Sequence, residues 1–273
     1  HNPDIVFHLA AQAIVRRSYD EPITTFRDNV LGTMHILEAM RWQKTKAGVM
    51  ITTDKCYKNR EDLRGYTEDD ELGGRDPYSA SKASAELAID SHRRSFLKRE
   101  GIMVASARAG NVIGGGDWGQ DRLIPDIINA YEANKEVTLR NPEAVRPWQF
   151  VLEPLYGYLL LGKALYENQP VDEAWNFGPD DGLILSVKDV VSEIVKSLNF
   201  NKVAYGEGST SQEKHEAKLL VLNSEKAKKK LGWKSTLSIG KTIAYTAEWY
   251  QQYRTRDVYQ LCSEQVDSFT SAT

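Results

Sequence analysis

Cysteine is nearly absent: the 273 residues contain two, Cys56 and Cys262, far apart in the chain. That excludes a disulfide scaffold and points to a reducing compartment, the cytoplasm. No apolar run is long enough to span a bilayer. No sign of charge dominates either, since 35 Lys and Arg stand against 38 Asp and Glu, interspersed, for a net charge of −3. Neither a nucleic-acid surface nor a membrane surface is therefore expected as a partner. No His, Cys and carboxylate set has metal-ligand spacing, so no metal is expected. Also missing is G-x-G-x-x-G: the triple glycine, Gly114-Gly115-Gly116, fits neither that spacing nor a phosphate loop and reads as a hinge.

What is there suffices for a large core, with 41 % apolar residues. The chain opens on His1-Asn2-Pro3-Asp4 and runs straight into Ile5-Val6-Phe7-His8-Leu9-Ala10-Ala11, a buried-strand pattern with no start methionine ahead of it. The expectation is a chain cut at its N-terminus. A helix over residues 22–44 follows, then a short strand Val49 to Thr53, a polar turn-rich loop to Asp76, a helix from Tyr78 to Glu100 stopped by Gly101, and a strand over 102–107. Strand and helix alternate, and the strands are short, apolar and buried on both faces. This is the α/β signature of a Rossmann-type parallel sheet with helices on both faces. Ligands of such sheets sit beyond the carboxyl ends of the strands. Residues 1–113 form a partial dinucleotide-binding unit, to which 150–180 return, with the first strands missing. Residues 114–149 and 181–254 read as a smaller mixed α/β substrate-binding unit, and 255–273 as a polar tail that frays. Lys226 to Lys230, between Ser224 and Gly232, reads as a capped helix with a cationic end.

The chemistry concentrates at Asp76-Pro77-Tyr78-Ser79-Ala80-Ser81-Lys82. Proline suits a first helical turn, and the four-residue spacing sets Tyr78 and Lys82 on one face. An ammonium beside a phenol lowers its pKa and turns it into a base. Spacing alone is a weak signal, because Tyr131 and Lys135 share it inside an ordinary amphipathic segment.

His8-Leu9-Ala10-Ala11, Thr53-Asp54-Lys55, Tyr78-x-x-x-Lys82, Arg108-x-x-Asn111 and Trp175-Asn176-Phe177-Gly178 stand in the order found in the extended short-chain dehydrogenase/reductases that act on nucleotide sugars. The resemblance runs from residue 5 to about residue 250. Within that superfamily the chain most resembles the CDP-glucose 4,6-dehydratases, through Gln12-x-x-Val15-Arg16-Arg17-Ser18-Tyr19, Asp54-Lys55-Cys56-Tyr57, Arg146-Pro147-Trp148 and His215-Glu216-Ala217-x-Leu219.

The resemblance implies NAD as cofactor and a nucleotide sugar, CDP-glucose, as substrate. Tyr78 would deprotonate the C4 hydroxyl, Lys82 would lower the Tyr78 pKa and hold the nicotinamide ribose, and Thr53 would bond the same hydroxyl. Asp54 would protonate the departing O6. Lys55 stands where related dehydratases place a glutamate, and is either the C5 base or a charged substrate clamp. Ala10, Ala11, Thr52, Tyr78, Lys82 and Arg108 would touch the cofactor, and Asn111, Arg122, Arg146 and His215 the substrate. His8 and Cys56 read as structural. The family's glycine-rich turn and ribose-binding acid are absent, which implies that roughly 60 to 80 residues, about one mononucleotide-binding half, are missing, and that the chain alone holds NAD poorly. Self-association as a homodimer or dimer of dimers through residues 24–44 and 78–100 is likewise implied. A nucleotide-sugar 4-epimerase, or a dehydratase for a dTDP-, UDP- or GDP-sugar, is the alternative, and a non-catalytic dinucleotide sensor a second. An epimerase has no use for Asp54-Lys55. All of this requires the Tyr78 hydroxyl within a sugar's width of residues 53–55.

Overall fold

The computed structural model describes residues 1–61, 64–139, 141–179, 184–205 and 219–273. Four strands, β1 (Ile5–His8), β2 (Ala47–Ile51), β3 (Met103–Ala109) and β8 (Ala174–Phe177), form one parallel sheet in the order β1-β2-β3-β8. Between them lie β4 (Val112–Ile113), β5 (Val137–Leu139), β6 (Val145–Pro147) and β7 (Gln149–Phe150), and after them β9 (Ile184–Ser186) and β10 (Val203–Tyr205), which pair in twos outside the main sheet. The helices are α1 (Val15–Asp20), α2 (Pro22–Phe26), α3 (Gly32–Gln43), α4 (Pro77–His92), α5 (Leu123–Glu132), α6 (Leu152–Tyr166), α7 (Val187–Ser197), α8 (Glu225–Leu231), α9 (Ile239–Gln252) and α10 (Val258–Thr270).

Strand alternation splits the main core. Val49, Ala105 and Ala107 face Leu161, Leu165, Trp175 and Trp233, while Met50 and Val104 face Leu37, Met40 and Ile89. α3 and α4 therefore cover one face and α6 the other, as a parallel sheet demands. A second core gathers Ile127, Ile128, Val190, Ile194, Ile243 and Trp249 from α5, α7 and α9, with Trp148 from between β6 and β7.

Several expectations change. The helix over 22–44 is broken by a π-type turn, Arg27–Leu31, which turns Asn29 inward. Lys226 to Lys230 do lie on a helix ended by Gly232 in the left-handed region, but the Ser224 side chain does not cap it. Its Oγ accepts from the Gly178 amide at 2.8 Å instead. α8 and Trp233 pack on the sheet core with Phe177, not with the smaller unit, because Ala227 and Trp233 are apolar faces that only that core covers. Residues 255–273 do not fray. Asp257 caps α10, and Leu261 and Phe269 are buried, the first in the second core and the second against Phe150 and Leu237. The triple glycine is shaped by packing: a Cβ on Gly115 would come 2.0 Å from the Trp249 ring, and Gly116 has φ +79°.

Candidate active site

β2 ends at the sheet's carboxyl rim, and Thr53, with extended backbone, caps a short 3₁₀ turn over Asp54–Cys56 by accepting from the Lys55 amide. Opposite it α4 begins. Asp76 accepts from the Ser79 amide at 2.9 Å and Pro77 follows at the first helical position, so the helix start is fixed by sequence and Tyr78 is delivered to the rim. Ser18 Oγ accepts from the Tyr78 amide at 3.1 Å and anchors it further.

The Thr53 hydroxyl stands beside the Tyr78 phenol and pulls its pKa down, and Thr53 Oγ1 donates to Asp54 Oδ1 at 3.0 Å. Lys55 Nζ lies 6.0 Å from the centre of the Tyr78 ring. Phenol, hydroxyl, carboxyl and ammonium thus meet at one strand end, within a sugar's width. Asp54 is almost fully buried, and its Oδ2 has no hydrogen-bond partner. Burial raises its pKa, against the pull of Lys55 and the Thr53 bond, which favours the protonated acid.

Two expectations fail here. Lys82 does not lower the Tyr78 pKa: burial pushes the phenol up to about 12, with the Thr53 bond working the other way. The Lys82 ammonium is itself buried, donates to the Ile51 carbonyl at 3.2 Å, and is drawn down to about 8 by desolvation. Nor does Arg108 face a cofactor. Its guanidinium is buried, pairs with Glu86 at 2.7 Å and donates to the Tyr57 hydroxyl, while the Thr52 hydroxyl also donates to Glu86. Ala10 and Ala11 lie exposed beyond the end of β1, and His8 and Cys56 are buried as expected.

A cleft of about 1040 Å³ opens beside this rim and brings Lys55, Arg122 and Arg146 together with Arg16 and Arg75. Arg122 is held by Asp117 at 2.9 Å. Asn111 and Arg146 share an adjoining cleft of about 160 Å³. His215 lies outside the described residues. The sequence reading named Gln12 only within a motif of the resemblance and missed Asn29: Asn29 accepts from the Gln12 amide at 2.8 Å and donates to the Gln12 carbonyl and to Ser81 Oγ, locking the loop after β1 to α4. Asn29 sits buried within the π-type turn, and a π-type turn leaves no clear sequence signal.

Residues 1–246 match the family described as GDP-mannose 4,6 dehydratase. The chain is 43 % identical to a CDP-glucose 4,6-dehydratase of Salmonella typhimurium over 99 % of its own length and 77 % of that protein's. It is 28 % identical to dTDP-glucose 4,6-dehydratase 1 of Escherichia coli, covering 92 % of this chain and 73 % of the other. Among solved structures, a dTDP-glucose 4,6-dehydratase of Streptomyces venezuelae with NAD bound superposes with a TM-score of 0.80 at 24 % identity, over 92 % of this chain and 74 % of that one.

Proposed function

Since the chain belongs to the GDP-mannose 4,6 dehydratase family, we propose that it is an NAD-dependent nucleotide-sugar 4,6-dehydratase, a lyase that converts CDP-glucose to CDP-4-keto-6-deoxyglucose. The observation that carries this reading is the buried Asp54 carboxyl with an unpartnered Oδ2, hydrogen-bonded to the Thr53 hydroxyl that stands beside Tyr78. A protonated acid without a partner, next to a phenol, suits a reaction that removes a proton at C4 and delivers one to O6.

The residues present fit the nicotinamide half of NAD: Lys82 has N–H donors beyond the one used by Ile51, and Ala10 and Ala11 carry only methyl groups on an open rim. When bound, NAD supplies the hydride acceptor at C4, the hydride returned to C6, and the positive charge of its oxidised ring. The Tyr78 phenol, protonated in the chain without cofactor, would be the base for the C4 hydroxyl only as a phenolate, which the positive charge of that ring beside it would favour. With C4 a ketone, the C5 proton becomes acidic; Lys55 stands at the rim either to clamp the sugar as an ammonium or, as a neutral amine, to receive that proton. Asp54 Oδ2 gives its proton to O6 and water leaves. Arg122 and Arg146 take the diphosphate, for which guanidinium forks have matching geometry. Asn111 contacts the sugar from the adjoining cleft.

Incubation of the protein with CDP-glucose and NAD is expected to build up the alkaline absorbance of a 4-keto product faster than incubation with dTDP-, UDP- or GDP-glucose. Asp54→Asn is expected to retain C4 oxidation while elimination falls by roughly 10²- to 10⁴-fold. Parental elimination by that variant would end the acid assignment. The reading includes self-association through residues 24–44 and 78–100, where Leu31 and Leu87 are exposed. Sedimentation should then show more than a monomer. Among the described residues no helix is long and apolar enough to cross a membrane.

A further inference from the structure

Gln149 opens β7, is 1 % exposed, and makes three hydrogen bonds to the rim that carries Asp54. Its backbone N–H donates to the Asn111 carbonyl at 3.3 Å. Its side-chain Nε2 donates to the Gly110 carbonyl at 3.2 Å and to the Phe177 carbonyl at 2.8 Å. Ala109 and Phe177 are partners in the β3–β8 ladder, so the carboxamide spans the carboxyl ends of both strands. This hold is kept although Oε1 of the same carboxamide is buried without a hydrogen-bond partner, an arrangement that costs free energy.

What the two donors hold is the turn that faces the acid. Gly110 packs straight onto Asp54: a Cβ there would stand 2.1 Å from Oδ2 and 2.6 Å from the carboxyl carbon. The backbone of Gly110 thus shuts one side of the carboxyl off from water. Asn111, the next residue, has φ +29°, where a residue with a side chain is strained, and it lines the adjoining cleft. A strained turn persists only where its surroundings hold it. Gln149 grips this one by the carbonyls of both its residues.

We propose that Gln149 is a positioning residue of this site: by bonding the carbonyls of Gly110, Asn111 and Phe177 it fixes the turn after β3, whose Gly110 backbone keeps water from Asp54 Oδ2 and whose Asn111 stands at the sugar cleft. The proposal rests on reading Asp54 as the acid of the elimination.

The test titrates the Asp54 carboxyl by ¹³C NMR in the aspartate-labelled 273-residue chain, with Asp54→Asn assigning the signal. In the parent the midpoint is expected above the usual carboxylate range, because burial disfavours the charged form. The titratable groups around Asp54, namely Lys55, Arg146, Cys56, Tyr78 and Tyr158, are left intact. Gln149→Leu keeps most of the volume and removes both side-chain donors. With the turn released, water reaches Oδ2 and the midpoint should fall back toward the usual range. Gln149→Met, whose unbranched chain adapts to the space, is run beside it so that the reading stands even where leucine does not fold, and the same fall is expected. A midpoint that stays at the parent value in either folded variant overturns the proposal. No sugar nucleotide or cofactor is in the tube, so that result leaves the dehydratase reading standing. In single-turnover assays with CDP-glucose and NAD, elimination by the folded variants should fall by roughly 10- to 100-fold while C4 oxidation falls less. Unchanged elimination in variants of an active parent also overturns the proposal, whereas a parent that yields no 4-keto product sinks the dehydratase reading and leaves the titration result in place.

Discussion

Gly110 has room for a hydrogen and nothing larger: a Cβ there would come 2.1 Å from Asp54 Oδ2, the oxygen assigned to protonate O6. Gly110→Ala must therefore push the Asp54 carboxyl aside, at an overpacking cost of about 1–3 kcal/mol. Elimination should fall by at least tenfold while C4 oxidation, which uses Tyr78, falls less; parallel single-turnover assays of the two steps check this. Thr53 offers a second test at the same scale. Its hydroxyl meets Tyr78 and Asp54 at once, so Thr53→Val should lower the rate of C4 oxidation, and Thr53→Ser, which keeps the hydroxyl, should restore most of it. Thr53, Asp54 and Tyr78 could be found in the sequence because a short apolar strand and an Asp-Pro helix start announce where each must lie. The role of Arg108 could not, since nothing in Arg108-x-x-Asn111 tells that Glu86, 22 residues earlier, will be buried against it.

Elements show the same division. Strands β1, β2, β3 and β8 were legible as buried apolar runs, because a parallel sheet covered on both faces needs no alternation. α10 was not. Its inward stripe is Leu261, Gln265 and Phe269, a glutamine between two apolar residues, and the rest of the segment looks like a solvated tail. Yet Leu261 closes the second core, Phe269 closes the cluster around Phe150, and Gln265 donates to the Tyr245 carbonyl. Each fully buried apolar side chain contributes about 1.5–3 kcal/mol. Truncation after Arg256 should therefore cost roughly 3–6 kcal/mol on that scale, read as a lower urea midpoint. The loss should reach the site as well. Trp249, whose indole N–H donates to Cys262 Sγ of α10, packs on Gly115, and the Tyr250 hydroxyl donates to the Asp117 carbonyl; Asp117 in turn holds Arg122. KM for the sugar nucleotide should accordingly rise more than kcat falls.

Across the whole molecule, buried titrating groups set how stability depends on pH on the alkaline side. Lys82, drawn down to about 8 from 10.5, is neutral in the folded chain and charged in the unfolded one between those values. The unfolded state then binds more protons, so stability rises with pH through that window. Cys56 and the phenols of Tyr57, Tyr78, Tyr158 and Tyr250 act in the opposite sense. Burial raises each above its ordinary 9.0 or 10.0, so the folded state keeps protons that the unfolded state releases, and stability falls as pH rises. One thiol roughly offsets one lysine between about pH 9 and 10, after which the phenols act almost unopposed. The urea midpoint should therefore climb slightly from about pH 8 to 9, level off to about 10, and then drop at about 1.4 kcal/mol per pH unit for each fully buried phenol. Phenolate absorbance recorded along the same titration decides the cause. Ionisation of these tyrosines should coincide with unfolding, because in the chain without cofactor burial disfavours each phenolate where it sits. Phenolate signal that rises for all of them while the chain stays folded would mean that Tyr78 meets water freely, and the dry phenol beside Thr53 would have to be abandoned.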